Sequence, residues 1–203
     1  MCALLLALAG FACSPARKTG YLDSYKGLET GQYVDKYWSD GTVGQHARIS
    51  VDLALYGIED RQGVTAKQAE AWLIEALIRQ DTDQLFLLGR KGGGGSARME
   101  IALTRMSPGK RTARIWLGEF GVGGAEAQIE GRIIDNKTGH VIARFAHRER
   151  VSAPKSNEYA DVRADDGPNL VKRNVRTVAD DLRQQLALEY ARAEENEDEM
   201  KKT

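Results

Sequence analysis

The chain has 203 residues but only two cysteines, Cys2 and Cys13, and none follows residue 13. A fold built on disulfides is excluded, because a bond between two residues so near one end would constrain almost nothing else. An excess of one charge is also absent, since Lys and Arg together number 29 and so do Asp and Glu. This balance gives no sign of a broad basic surface, and we expect no nucleic acid among the partners.

The chain also lacks an apolar run long enough to cross a bilayer, which needs about 20 residues. Residues 1–12 are nonetheless apolar and match the hydrophobic part of an export signal in length. No Lys or Arg precedes them. Either translation starts further upstream or the segment is not a signal. We predict a signal peptide over 1–12 that is removed by cleavage.

The motifs of common catalytic and cofactor sites are missing. The glycine-rich stretches 89–97 and 118–124 lack the Lys-Ser/Thr ending of a phosphate loop and do not open a helix. His46, His140 and His147 form no metal-ligand motif, and the last two face opposite sides of a regular strand. We predict no catalytic residue, no metal and no cofactor. A hydrolase site made of two carboxylates that only the fold brings together, as in a glycoside hydrolase, remains an alternative.

Cys13 stands where the apolar segment ends, directly after the small residue Ala12. Residues 10–14 (GFACS) resemble a bacterial lipobox, the site at which exported lipoproteins are cleaved and acylated. The resemblance implies that Cys13 becomes the first mature residue and carries acyl chains. Each buried methylene stabilises membrane association by about 0.8 kcal/mol. Ser14 at the next position favours sorting to the outer membrane. The alternative is an unmodified thiol after a disordered N-terminus.

Residues 13–20 are expected to be a lipidated linker, because they are polar and have no apolar period. The following stretch, 21–38, is rich in aromatic residues and is interrupted by Gly27 and Gly31. We interpret it as an extended arm with short turns. Its aromatic side chains either pack into the core or form a surface for a protein partner. The candidates for such a surface are Tyr21, Tyr25, Tyr33, Tyr37 and Trp38.

Periodicity in the rest of the chain predicts both helices and strands. Alternating apolar residues, or a short apolar run, predict strands near 47–56, 85–88, 98–104, 127–133 and 141–145. Helical spacing predicts helices at 65–79, which opens with a Thr65–Gln68 capping box, and at 169–191. The order β-α-β-β-β-β-α indicates an α+β fold, with a mixed, mostly antiparallel sheet of about five strands and two helices on one face. The predicted domain spans 21–192, and the charged residues 193–203 are expected to be a disordered tail.

Two stretches resemble a family of uncharacterised bacterial lipoproteins. Residues 20–25 (GYLDSY), followed by Leu28, are similar to the G-F-L-x-D-Y-x-x-L motif that comes after the signal in that family. Residues 121–145 are similar to its glycine-rich turn, strand and hairpin. The resemblance implies a domain like the first periplasmic domain of the Tol-system propeller protein. Similar domains occur in the curli secretion lipoprotein and in the lipoprotein activator of a penicillin-binding protein. The family resemblance implies a docking or assembly role and assigns no catalytic residue.

The sequence therefore predicts a lipoprotein anchored on the periplasmic face of the outer membrane, which acts as a binding or assembly module of the cell envelope. Its expected partners are the membrane, through the acyl chains on Cys13, and an unidentified envelope protein. Self-association into a homo-oligomer is an open alternative. Two other functions also stay open: a periplasmic hydrolase that uses carboxylates, and a structural or stress-related envelope protein.

Overall fold

The computed structural model describes residues 15–59, 63–79, 86–88, 95–110, 112–113, 123–151 and 167–201. The predicted signal segment and Cys13 lie outside the described residues. So do residues 115–117 and 152–166 and most of the two glycine-rich stretches.

A mixed sheet of six strands forms the centre of the described part of the chain. In chain order the strands are β1 (Lys36–Ser39), β2 (Ile49–Leu55), β3 (Phe86–Leu88), β4 (Ala97–Ser107), β5 (Ala125–Asp135) and β6 (Val141–Val151). Their order across the sheet is β1-β6-β5-β4-β2-β3. Strand β2 runs parallel to β3 and β4, and the other neighbouring strands are antiparallel.

Two long helices accompany the sheet: α1 (Ala66–Arg79) and α2 (Gly167–Lys201). A short 3-10 helix, Val43–Gln45, joins β1 to β2. The predicted capping box at the start of α1 is present. The backbone nitrogen of Gln68 donates to Thr65 Oγ1 at 3.2 Å, and Gln68 Oε1 accepts from the Thr65 nitrogen at 2.8 Å. Each side chain thus satisfies a backbone group that the first helical turn leaves unpaired.

The predicted α+β class and element order are confirmed. The sheet has one strand more than expected, because the end of the aromatic-rich arm forms β1 and pairs with β6. Both helices pack on one face, where fully buried side chains from helices and strands interlock. Among the largest of these are Leu73, Leu77, Ile101, Ile129, Phe145 and Leu182. Burial of such a side chain stabilises the fold by about 2 kcal/mol.

Helix α2 continues to Lys201, well beyond the end predicted near Ala191. Residues 193–201, expected to be a disordered tail, are therefore helical. The packing against the domain ends at Ala193, whose Cβ lies beside Gly44. Beyond it the side chains are exposed, and Lys201 pairs with Glu197 at 3.7 Å and with Asp198 at 3.9 Å. These pairs across one turn support a helix that the domain has already nucleated.

Candidate functional site

The N-terminal arm (residues 15–35) lies across the outer face of the sheet, which is the face opposite the helices. It begins over β5 at Arg17, returns to β5 at Asp23 and reaches β6 at Lys26. Glu29 then exchanges two backbone hydrogen bonds with Tyr37, at 2.9 and 2.8 Å. Residues 15–20, expected to be a tether, are thus in contact with the sheet.

Glu130 of β5 is the centre of this attachment, and its side chain is fully buried on the outer face. From the arm, Thr19 Oγ1 donates to the carboxyl group at 2.6 Å, and the hydroxyl of Tyr25 donates to its other oxygen. From the sheet, Gln128 Nε2 donates at 2.8 Å and Thr104 Oγ1 at 3.2 Å. Four donors therefore meet at one buried carboxyl group, and two of them belong to the arm.

Gln128, which is also fully buried, pairs with the backbone of the arm in both directions. The nitrogen of Arg17 donates to Gln128 Oε1 at 2.9 Å, and Gln128 Nε2 donates to the Arg17 carbonyl at 2.6 Å. An unpaired buried polar group costs about 1–3 kcal/mol. While the arm is docked and excludes water, its groups leave neither Gln128 nor Glu130 unpaired, so the polar sequence of β5 matches the docked arm.

Asp35, at the other end of the arm, joins it to β6. Its Oδ2 accepts from the backbone nitrogen of Ala16 at 3.0 Å and from that of Arg148 at 2.9 Å. Burial raises the pKa of Asp35, but hydrogen bonds from His147 and from these two backbone groups outweigh burial and lower it. One carboxylate thus fixes the first described residues of the arm against the sheet.

His147 connects the same carboxylate to the helix layer. This buried side chain of β6 places Nε2 at 2.8 Å from Asp181 Oδ2 of α2 and Nδ1 at 3.5 Å from Asp35 Oδ2. Nδ1 also lies 3.2 Å from the Asp35 backbone nitrogen, which it can pair with only as a neutral ring. Two carboxylates favour the charged ring more strongly than one amide favours the neutral ring. Burial lowers the pKa of His147, but Asp181 and Asp35 raise it to about 9.

Two groups of arginines and carboxylates continue the polar outer face. In the first, Glu100 accepts from Arg98 at 3.2 Å and from Arg132 at 2.7 Å, while Arg132 also reaches Asp23 of the arm at 2.6 Å.

In the second group, Glu126 accepts from Arg105 at 3.2 Å and from the almost fully buried Arg148. The pKa of Glu126 is lowered by Arg148 and Arg105 in spite of its burial. The outer face is therefore held by charge pairing, whereas apolar packing holds the helix face.

The five aromatic residues predicted as a partner surface occupy different environments. Tyr21 meets Tyr56 edge to face at 5.4 Å, and Trp38 lies under the guanidinium of Arg144 at 4.8 Å. Tyr25 points inward to Glu130, and Tyr37 is buried. Tyr33 is the most exposed of the five, at 36%. The geometry therefore does not bring all five rings together on one exposed patch.

A groove of about 500 Å³ lies between the arm, β1 and the second half of α2. Glu189 in its wall is nearly buried, and Ser39 Oγ donates to its carboxyl group at 3.0 Å. The hydroxyl of Tyr37 has no hydrogen-bond partner among the described residues. Burial and the nearby Glu189 raise the pKa of this tyrosine. A second, smaller cavity of about 160 Å³ lies beside Trp38 and Arg144.

Neither cavity has the pattern of a carboxylate hydrolase. The carboxyl groups of Glu149 and Asp180 have raised pKa values, mainly because of burial, but neither lines one of these two cavities. Within the described residues, no three His, Cys, Asp or Glu side chains are grouped so that they could bind a metal ion. Over the same residues, no helix combines the length and hydrophobicity needed to span a bilayer.

Sequence reasoning missed the residues that organise the outer face: Gln128, Glu130 and His147. One signal for the first two was available, because the alternation along β5 places a Gln and a Glu on the face opposite its apolar residues. Only the arm, whose Arg17 is 111 residues away from Gln128, makes that face an interior.

The fold and the site define a class of domain, namely an α+β sandwich whose polar sheet face is closed by its own N-terminal arm. Residues 83–154 match the family described as Domain of unknown function (DUF4410). This segment includes strands β3 to β6 but neither the arm nor α2. No curated protein matches the chain.

Several solved structures resemble the chain at low identity. PelC, a dodecamer from Paraburkholderia phytofirmans, is 12% identical over 70% of this chain and 94% of that chain, with a TM-score of 0.38. A DUF330 protein from Xanthomonas campestris is 12% identical over 73% and 88%, with a TM-score of 0.45. A lipoprotein from Neisseria meningitidis is 14% identical over 66% and 96%, with a TM-score of 0.26.

Proposed function

We propose that this protein is a lipoprotein of the bacterial envelope, anchored through acyl chains on Cys13 and acting as a binding or assembly module without chemistry of its own. The observation that carries the proposal is the position of Cys13. It follows an apolar segment and a small residue, and it directly precedes an arm that is bonded into the fold.

The docked arm supports anchoring because it makes a rigid attachment point. Ala16 and Arg17 are held through their backbone groups by Asp35 and Gln128. An acyl group on Cys13, three residues before Ala16, would therefore hold the whole domain, not a loose tail. Two or more acyl chains are needed for stable anchoring, as a bacterial lipoprotein supplies.

The periplasmic face of the outer membrane is the proposed location, since Ser14 follows the cysteine. A protein partner in the envelope and a homo-oligomer remain predictions. Crosslinking in intact cells, followed by purification through the protein, tests both. A ladder of multiples of the chain mass indicates self-association, and a single heterologous band indicates a partner.

Metabolic labelling with palmitate tests the anchor. Wild-type protein should incorporate the label and sediment with membranes, whereas the Cys13→Ala variant should do neither. Cys2→Ala is the matched control, because this residue lies in the segment predicted to be removed, and it should keep full labelling. Equal labelling of wild type and Cys13→Ala, or no labelling of either, contradicts the proposal.

A further inference from the structure

The chain enters the fold at one end of the sheet, and this end also carries exposed basic residues. Ser14 alone separates Cys13 from Pro15, the first described residue. Consecutive Cα atoms are 3.8 Å apart, so the Cα atom of Cys13 lies within about 8 Å of that of Pro15. Because Ala16 and Arg17 are fixed to Asp35 and Gln128, acyl chains on Cys13 would hold this end of the domain against a bilayer.

Three basic side chains at this anchor end are accessible to a membrane. Arg17, Lys18 and Lys110 are exposed, whereas Arg105 is paired with Glu126. The strand register places these basic residues at the same end of the sheet. Arg105 of β4 lies opposite Gln128, which binds the backbone of Arg17, and Lys110 follows the end of β4.

Two carboxylates near the start of the arm are already paired with neighbours within the fold. Asp35 is engaged by two backbone nitrogens and by His147, and Glu126 is engaged by Arg105 and Arg148. Among the described residues, the exposed charged side chains beside the start of the arm are therefore mainly basic, although the chain as a whole has no net charge.

Exposed acidic residues are concentrated at the far end of α2. The helix starts at the anchor end, where Gly167 packs against Pro108, and its last turns pass the other end of the sheet at Ser39. At a rise of 1.5 Å per residue, the exposed acidic turns around Glu197 are about 45 Å from Gly167. The described residues are thus mainly basic where the arm begins and acidic at the distant tip of α2.

We infer that the anchor end, through Arg17, Lys18 and Lys110, rests on anionic phospholipid headgroups and that α2 points its acidic tip away from the bilayer. The inference rests on the proposed lipid anchor. Each basic residue near an anionic surface contributes attraction that salt screens, and the acidic tip is repelled from the same surface. The lipids would then orient the domain as well as retain it.

Fluorescence quenching in vesicles tests the orientation, because the body of the chain has no other cysteine. The acylated protein is reconstituted with an environment-sensitive dye on Lys110→Cys or, separately, on Glu197→Cys. A nitroxide on the lipid headgroups quenches dyes that lie near the bilayer. The vesicles contain phosphatidylcholine alone or an equal mixture with phosphatidylglycerol.

The expected result is stronger quenching at position 110 than at position 197, with a difference that grows several-fold when phosphatidylglycerol is included. About 1 M NaCl, which shortens the Debye length to about 3 Å, should remove this effect of phosphatidylglycerol on the quenching difference. Lys18→Glu should lower the ratio of protein whose anchor end lies on the bilayer to protein in other orientations about tenfold or more. Lys26→Glu is the matched control on the same arm, near the other end of β6, and should change the ratio little.

Quenching that is equal at the two positions, or that does not depend on lipid charge, overturns the inference. So does an equal effect of Lys18→Glu and Lys26→Glu. If acylated protein reconstitutes normally but shows no dependence on lipid charge, the inference fails and the anchor stands. If wild-type protein takes up no palmitate, the anchor and the inference fail together.

Discussion

Replacing Glu130 with alanine removes the acceptor at which the arm and the sheet meet. The hydroxyls of Thr19 and Tyr25 lie on the arm and can turn to water once it lifts. While the arm stays docked, Thr104 and Gln128 remain buried, at 6% and 0% exposure. Thr104 Oγ1 can still donate to the Gln128 carbonyl at 3.4 Å, but the Gln128 Nε2 hydrogen that pointed to Glu130 loses its acceptor.

The cost follows from this one buried donor and from the two hydrogen bonds that the arm makes to Glu130. The unsatisfied donor costs about 1–3 kcal/mol and each lost hydrogen bond about 1 kcal/mol, while removal of the buried carboxyl group returns part of that because its own desolvation ends. We expect Glu130→Ala to lower the free energy of unfolding by about 3 kcal/mol. For a domain of this size, that corresponds to a fall in Tm of about 6–12 °C.

Urea unfolding measures the global effect, and limited proteolysis measures the release of the arm. Trypsin can cut after Arg17 and Lys18 only when the arm lifts from Gln128 and Glu130. We expect cleavage there to be at least tenfold faster in Glu130→Ala, since opening that is easier by about 1.4 kcal/mol gives tenfold more open form. If the alanine variant does not fold, Glu130→Gln should show the same direction with a smaller change.

Asp23→Ala is the matched control on the same arm. Its ion pair with Arg132 measures 2.6 Å, but the Asp23 side chain is 86% exposed. Exposed pairs contribute about 0–1 kcal/mol, so stability and cleavage should change little. If Glu130→Ala unfolds at the same urea concentration as wild type and is cut at the wild-type rate, the buried polar centre does not hold the arm.

Two further predictions concern buried polar groups elsewhere in the fold. His147 has a pKa raised from 6.5 to about 9, so its contribution to stability, up to about 3 kcal/mol, should be complete below about pH 6.5 and disappear as the pH rises through 9. Urea unfolding across this range should show that loss in wild type and a flatter profile in Asp181→Asn; identical profiles would refute the pairing. Asn174 of α2 is fully buried, and its amide has no partner among the described residues. Asn174→Leu should therefore raise stability by about 1–2 kcal/mol, while Asn196→Leu on the exposed end of α2 should change it by less than about 0.5 kcal/mol; a destabilised Asn174→Leu would contradict the reasoning.

The elements of the helix face were predictable because their signals are local. Ile49, Val51 and Leu53 alternate along β2, and Leu73 and Leu77 lie one turn apart on α1. Such spacings depend only on the geometry of a strand or a helix. The end of α2 was not predictable in this way, since its acidic composition is typical of a disordered tail.

The outer face could be predicted only in part. The aromatic residues of the arm indicated that it packs on the domain, and Tyr25 does so. The partner of Tyr25, however, is a carboxyl group on β5 rather than an apolar side chain. No sequence pattern relates Tyr25 to Glu130, which lies 105 positions further along the chain.

Local periodicity in the amino-acid sequence was thus enough to specify the α+β class, the element order and the apolar helix face, and it singled out Cys13 as a candidate anchor. The docking of the arm, the burial of Glu130 and the position of His147 between two carboxylates depend on the folded chain. The physical reason is that side-chain spacing acts over a few residues. Burial and charge pairing depend on which distant segments the fold brings into contact.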